Sequence, residues 1–170
     1  MSKKISLSQV KKMPYIFLNR MINKAKKYLK TDKTMIDIFK EYGEDVNIID
    51  YIPTRFGNLD VSAKTDHGIV ILNYSLLCDG DFGKDYAYLI HEYTHWAEQC
   101  LGDKATQSSD DGSYLDNKSE QKGFANQIEY IANHEGEEEA EEYVDDLLEH
   151  HDINSKTEQN EKKEILMSKV

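Results

Sequence analysis

The chain has 170 residues, 39% hydrophobic and 31% charged, with a formal charge of −11. That length suits one compact core burying roughly 70% of the unfolded surface and leaves no room for a second full domain. Eleven tyrosines argue against a disordered polymer, and the two cysteines, Cys78 and Cys100, have neither the spacing of a disulfide framework nor that of a CxxC metal site.

With no signal-type segment in MSKKISLSQVKKM and no apolar run of transmembrane length, a cytoplasmic protein with no membrane partner is expected. Charge is uneven. Residues 1 to 40 hold eleven Lys or Arg against two Asp, about +9, so the rest carries about −20. A basic N-terminal helix could touch nucleic acid or an acidic partner, yet the overall sign disfavours a nucleic-acid platform, and a solvated lysine face is the plainer reading.

In chain order, Val10, Met13, Ile16, Phe17, Met21 and Ala25 recur at helical spacing and predict an amphipathic helix from Leu7 to about Leu29, with Pro14 either bending it or marking its true start. A second helix is expected from about Lys33 to Tyr42, stopped by Gly43. Three β-type runs follow at Val46 to Ile52, Asn58 to Lys64 and Gly68 to Tyr74, the last two joined by a turn at Thr65, Asp66 and His67. After a polar loop from Asp79 to Gly83 comes a helix from about Lys84 to Leu101. On it Tyr86, Leu89, Tyr93, Trp96, Ala97 and Cys100 form a packing stripe opposite His91 and His95. A loop from Asp103 to Ser113 leads to a helix from Lys118 to about His134. Gly136 separates that from a last helix with the seam Ala140, Tyr143, Val144, Leu147 and Leu148, whose acidic residues fill a solvated outer face. The expected architecture is α+β, mainly helical with about three strands. One domain is expected over residues 1–154, with a polar, flexible tail over 155–170.

Within the third of these helices stands His91-Glu92-Tyr93-Thr94-His95, an HExxH sequence. Residues four apart on a helix are separated by about 40° and 6 Å, so both imidazoles can reach one ion. Six His and sixteen Glu placed independently would yield the pattern in roughly 2% of such chains, which makes an accidental match the weaker account. A catalytic zinc uses three protein ligands and keeps a fourth position for water, within reach of Glu92. Glu120, twenty-five residues after His95 at the start of the next helix, is the leading third ligand; Asp116 is the runner-up. Glu129 falls on the opposite helical face from Glu120. His134 stands about 21 Å along the axis, too far to share its metal. The alternative for Glu120 is a carboxylate that merely favours the helix dipole.

HEYTH followed by this carboxylate resembles the gluzincin pattern of minimal zinc metallopeptidases. Glu120-Gln121-Lys122-Gly123-Phe124-Ala125 is similar to the glutamate-bearing helix of ImmA/IrrE-type peptidases, and YLDNKSEQKGFANQIEYI looks like small uncharacterised HExxH proteins of phages and bacteria. Lys122 and Gly123 depart from the Ala-Asn pair usual in the ImmA/IrrE-type helix. No third histidine follows at metzincin spacing. The resemblance covers Asp85 to about Tyr130 and implies a zincin-like fold, one Zn2+ ion, a peptide or protein substrate, and a strand beside the active-site helix that pairs with extended substrate, for which Gly68 to Tyr74 is the nearest candidate.

In that chemistry zinc lowers the pKa of water while Glu92 accepts the proton and passes it to the leaving amine. Tyr114, His67 and His134 are eligible to stabilise charge on the substrate oxygen. Glu98 shares the ligand face; it could orient a ligand or line the cleft, although exposure is the commoner fate of such a residue. Two other functions compete: a non-catalytic regulatory protein that uses the metal to join two helices, and a SprT-like, DNA-associated peptidase contacting DNA through Lys24 to Lys33.

Overall fold

The computed structural model describes residues 4–80, 82–102 and 114–170; the loop expected over Asp103 to Ser113 lies outside the described residues. Where one helix was expected from Leu7, there are two. Helix α1 (Leu7–Lys11) opens on a reciprocal cap, with the Gln9 backbone N–H donating to Ser6 Oγ and the Ser6 backbone N–H donating to Gln9 Oε1. Pro14 caps α2 (Tyr15–Leu29) and so marks a true start, since a proline nitrogen has no proton for a continuing helix and its ring disfavours helical geometry at Met13. Asp32 caps α3 (Lys33–Lys40) by accepting from the Met35 amide at 3.1 Å, and Gly43, at φ +74°, ends the turn that follows.

The expected strand at Val46 to Ile52 is instead a 3-10 helix over Val46–Tyr51. Val46, Ile49 and Ile52 recur every three residues, the period of that helix, and Ile49 and Ile52 are fully buried. Asp45 starts it by accepting from the Asn47 amide at 2.8 Å. The strands are β1 (Thr54–Gly57), β2 (Ala63–Asp66) and β3 (Ile69–Asn73), in sheet order β1-β3-β2. Strand β1 was not anticipated. It pairs parallel with β3, Thr54 opposite Val70, while β2 pairs antiparallel with β3, Ala63 opposite Leu72. The hairpin turns on His67 and Gly68, at φ +52° and +79°, two residues rather than the three expected. Central strand β3 buries Val70, Ile71 and Leu72 consecutively, as a strand covered on both faces must.

Helix α4 (Tyr86–Leu101) lies between this sheet and α5 (Lys118–Glu135). Tyr86, Leu89, Tyr93 and Ala97 are buried as expected, whereas Cys100 is exposed. The Tyr93 hydroxyl meets Thr54 Oγ1 at 2.8 Å, and the Trp96 indole N–H donates to the Gly68 carbonyl at 3.1 Å, which fastens the middle of α4 to β1 and to the β2–β3 turn. Gly136, at φ +103°, breaks α5 from α6 (Glu137–His150), which buries Ala140, Val144 and Leu148. The segment beyond Asn154, expected to be a patternless tail, carries a helix α7 (Lys156–Leu166). Leu166 is buried in the common core, and Lys163 pairs with Glu141 at 2.7 Å and Asp145 at 3.1 Å on α6. The result is the expected α+β class, mainly helical with a three-stranded mixed sheet. No helix among the described residues is long and apolar enough to cross a membrane.

Candidate metal centre

The polar face of α4 is not open to solvent, because α5 covers it: His91 is 4% exposed, Glu92 7% and His95 6%. Asn117 fixes the start of α5 by accepting from the Ser119 and Glu120 amides at 2.9 and 3.2 Å. From there Glu120, Gly123, Phe124 and Gln127, spaced 3, 4 and 7 along the helix, share the face turned to α4. Glu120 Oε2 lies 3.2 Å from His91 Nε2, Glu120 Oε1 lies 2.8 Å from His95 Nε2, and the two Nε2 atoms are 3.0 Å apart. One donor atom from each of the three residues lies within 4.8 Å of the others, close enough to hold a metal ion. The measured separations approach the roughly 3.3 Å edge of a tetrahedron built on bonds of about 2.05 Å, as zinc–nitrogen bonds are.

The donor set also fits a cation chemically. His91 Nδ1 is 3.0 Å from Gln127 Oε1, an atom that can only accept, so the ring proton sits on Nδ1 and the Nε2 lone pair faces inward. Gln127 is held in turn by donating from Nε2 to the Tyr143 hydroxyl at 2.8 Å. His95 Nδ1 meets Ser119 Oγ at 3.1 Å, which likewise leaves its Nε2 toward Glu120. With the Ser119 hydroxyl accepting from Nδ1, His95 also turns a lone pair inward, and two such lone pairs beside a carboxylate repel unless a positive charge lies among them. Burial pushes the Glu120 carboxyl up, but whenever Nε2 of His91 and His95 carries the ring proton instead, the hydrogen bonds to Glu120 outweigh burial and hold the group well below the usual carboxylate range. Burial opposes charge on His95, yet Glu120, Glu92 and Glu98 together raise its pKa.

Gly123 accounts for a departure noted in the sequence. A Cβ at this position would stand 3.0 Å from His91 Cε1 and Nε2, so glycine provides the clearance under the imidazole. Phe124 meets the same ring edge-on at a centroid distance of 4.4 Å.

Glu92 faces a cavity of about 370 Å³ that is also lined by His95, Glu120, Tyr114 and Thr65. The Thr65 hydroxyl lies 3.1 Å from Glu92 Oε1 and 3.0 Å from the Glu92 carbonyl, so strand β2 positions this carboxylate. Of the three oxyanion candidates, only Tyr114 lines the cavity. Burial and then its hydrogen bond to Glu120 push the Tyr114 phenol up, leaving it a neutral donor near neutral pH. His67 projects from the hairpin turn, with a side chain 92% exposed and 2.6 Å from Asp66 Oδ1. His134 lies far along α5, bonded to Asp32 at 2.7 Å and to the Tyr28 hydroxyl at 3.2 Å. Asp116 pairs with Lys162, and Glu129 accepts from Thr34 Oγ1 at 2.8 Å; neither joins the cluster. Glu98, where exposure was the commoner expectation, is buried.

The expected substrate strand also changes. Gly68 to Tyr74 contains β3, which is paired on both sides, whereas β2 is the edge strand beside α4 and contributes Ala63, Lys64 and Thr65 to the cavity. Gln127, Ser119, Gly123 and Thr65 were not anticipated as site residues; the 3, 4 and 7 spacing from Glu120 was the only signal for two of them. Comparison of the chain with protein-family models, curated proteins and solved structures finds no match.

Proposed function

We propose that this chain is a zinc-dependent hydrolase of peptide bonds with a zincin-like arrangement, in which His91, His95 and Glu120 hold the metal and Glu92 is the general base. The observation that supports it most is the convergence of both Nε2 atoms on the Glu120 carboxylate while both Nδ1 atoms are occupied by Gln127 and Ser119. Bound zinc would supply a Lewis acid that acidifies water and polarises a carbonyl. The remaining work belongs to the chain. Thr65 holds Glu92 Oε1 and leaves Oε2 to take a proton from attacking water and deliver it to the departing amine. The Tyr114 hydroxyl, at the cavity wall, is the donor suited to growing negative charge on the substrate oxygen. The edge of β2 that pairs with no strand among the described residues runs past these groups, and an extended peptide laid against it would be held by main-chain hydrogen bonds.

Glu92→Gln tests the assignment, with zinc content read by elemental analysis and cleavage read on a mixed peptide library by mass spectrometry. Retained zinc with lost cleavage is expected; retained zinc with undiminished cleavage would remove Glu92 from the mechanism.

The burial of both histidines favours a second reading, a closed structural metal joining α4 to α5. Absorption spectra of the cobalt-substituted protein separate the two, since an open site responds to added azide and a closed one does not. The DNA-associated version draws less support, because Lys26 donates to the Ile52 carbonyl at 2.7 Å, Lys30 pairs with Asp50 at 2.7 Å and Lys33 pairs with Asp37 at 3.3 Å.

A further inference from the structure

A second cavity, of about 470 Å³, opens on the other side of the Gln127–Tyr143 pair, where the last turns of α2 and α5 meet the first turn of α4. Its walls are unusually rich in tyrosine. Tyr86 and Tyr28 lie 5.5 Å apart at 44°, Tyr28 and His134 6.0 Å apart at 52°, and His134 and Tyr130 4.2 Å apart at 36°. Four rings linked in a chain of contacts, each tilted on the next, make a curved wall rather than a flat stack, and Tyr88 and Tyr143 also line the cavity. Tyr86 and Tyr130 are mostly buried, at 9% and 7% exposed, so their positions are fixed by packing.

The chemistry of this wall selects the sign of a ligand. Aromatic faces are electron-rich and attract cations. Asp85 and Glu135 line the cavity against one cation, Lys84. The C-terminal turns of α2 and α5 add partial negative charge, and the acidic Asp85 stands at the opposing N-terminus of α4. Burial pushes the Tyr130 phenol up, followed by the influence of Tyr28 and Asp32, which keeps it neutral. His134 has its two ring nitrogens engaged by Asp32 and Tyr28, so it offers no lone pair to a metal. What remains is a chamber for a bulky, weakly hydrated positive group.

We infer that this tyrosine-lined cavity binds a substituted ammonium group, of the trimethylammonium kind, independently of the metal centre. The group could belong to a small metabolite or to a methylated lysine side chain, and both present the same methyl-clad cation to the rings.

The test titrates the full chain with choline, with N-acetyl-trimethyllysine amide and with 3,3-dimethylbutan-1-ol, the uncharged counterpart of choline, following tyrosine resonances by NMR. Saturable binding of choline or the lysine derivative is expected, at least roughly tenfold tighter than the neutral alcohol. The tighter of the two cations identifies the source. Tyr130→Leu should weaken cation binding roughly tenfold, and Glu135→Gln, at an exposed position that leaves the core untouched, several-fold. Zinc content should stay unchanged in both. Equal affinity for the neutral alcohol, no saturation in the millimolar range, or wild-type affinity in Glu135→Gln together with a folded Tyr130→Leu would overturn the inference.

Discussion

Helix α5 places a histidine against a carboxylate at both of its ends, and the two pairings differ in what the nitrogens are doing. At the N-terminal end Glu120 receives Nε2 from both His91 and His95, while each Nδ1 is occupied elsewhere. At the C-terminal end His134 gives one nitrogen to Asp32 and the other to Tyr28. Distance alone would rank the second pair higher, since 2.7 Å is shorter than 2.8 or 3.2 Å. The difference lies in spare lone pairs: the first cluster can turn two to one place, with Gln127 and Ser119 accepting the Nδ1 protons, and the second has none to turn. Proximity of a histidine to an acid therefore says little about metal binding until both ring nitrogens are accounted for.

The contrast can be broken at several points. The largest effect is expected from His91→Ala or Glu120→Ala, which remove a ligand and should abolish stoichiometric zinc in elemental analysis, whereas His134→Ala should retain all of it. Next comes Glu92→Gln, predicted to lower kcat/KM for peptide cleavage by roughly 10²–10⁴-fold at full zinc occupancy, the usual range for a lost general base. Gln127→Leu sharpens the comparison by freeing His91 Nδ1 without touching a ligand; zinc affinity, measured by competition with a chromogenic chelator, should fall roughly 10–100-fold. The smallest effect is expected from Gly123→Ala. Its methyl group would press on the His91 ring from 3.0 Å, and a several-fold loss of affinity should accompany unchanged or slightly higher helix stability, since alanine is favoured over glycine by about 1 kcal/mol in a helix. Zinc affinity equal to wild type in that variant would show that the imidazole has room to retreat.

Much of this site could be read before any coordinates, because its parts are local. HExxH needs only the geometry of one helix, and Glu120 needs only that the following helix return antiparallel. The supports of those ligands depend on which faces of α4 and α5 meet, and that is a tertiary fact: nothing local marks Gln127 as the residue that meets His91 Nδ1. The same limit governs the fold. Val46, Ile49 and Ile52 satisfy both a β-branched run and a three-residue helix, and the Asp45 cap decided between them. Strand β1 is four residues after a proline, too short for alternation to show, and exists through its parallel pairing with β3. Helix α7 was overlooked since only Leu166 of its residues is buried; lysine contacts to α6 accompany that anchor.

The bonds from Thr65 to Glu92 and from Trp96 to the Gly68 carbonyl bolt the β2–β3 hairpin to the helix carrying the histidines. One side of the cleft is consequently a rigid anvil, with base, ligands and edge strand moving as a single piece. Any widening to admit a bulky chain has to come from the opposite side, where the Tyr114 ring stacks on His151 at 5.0 Å and meets Phe124 edge-on at 5.9 Å.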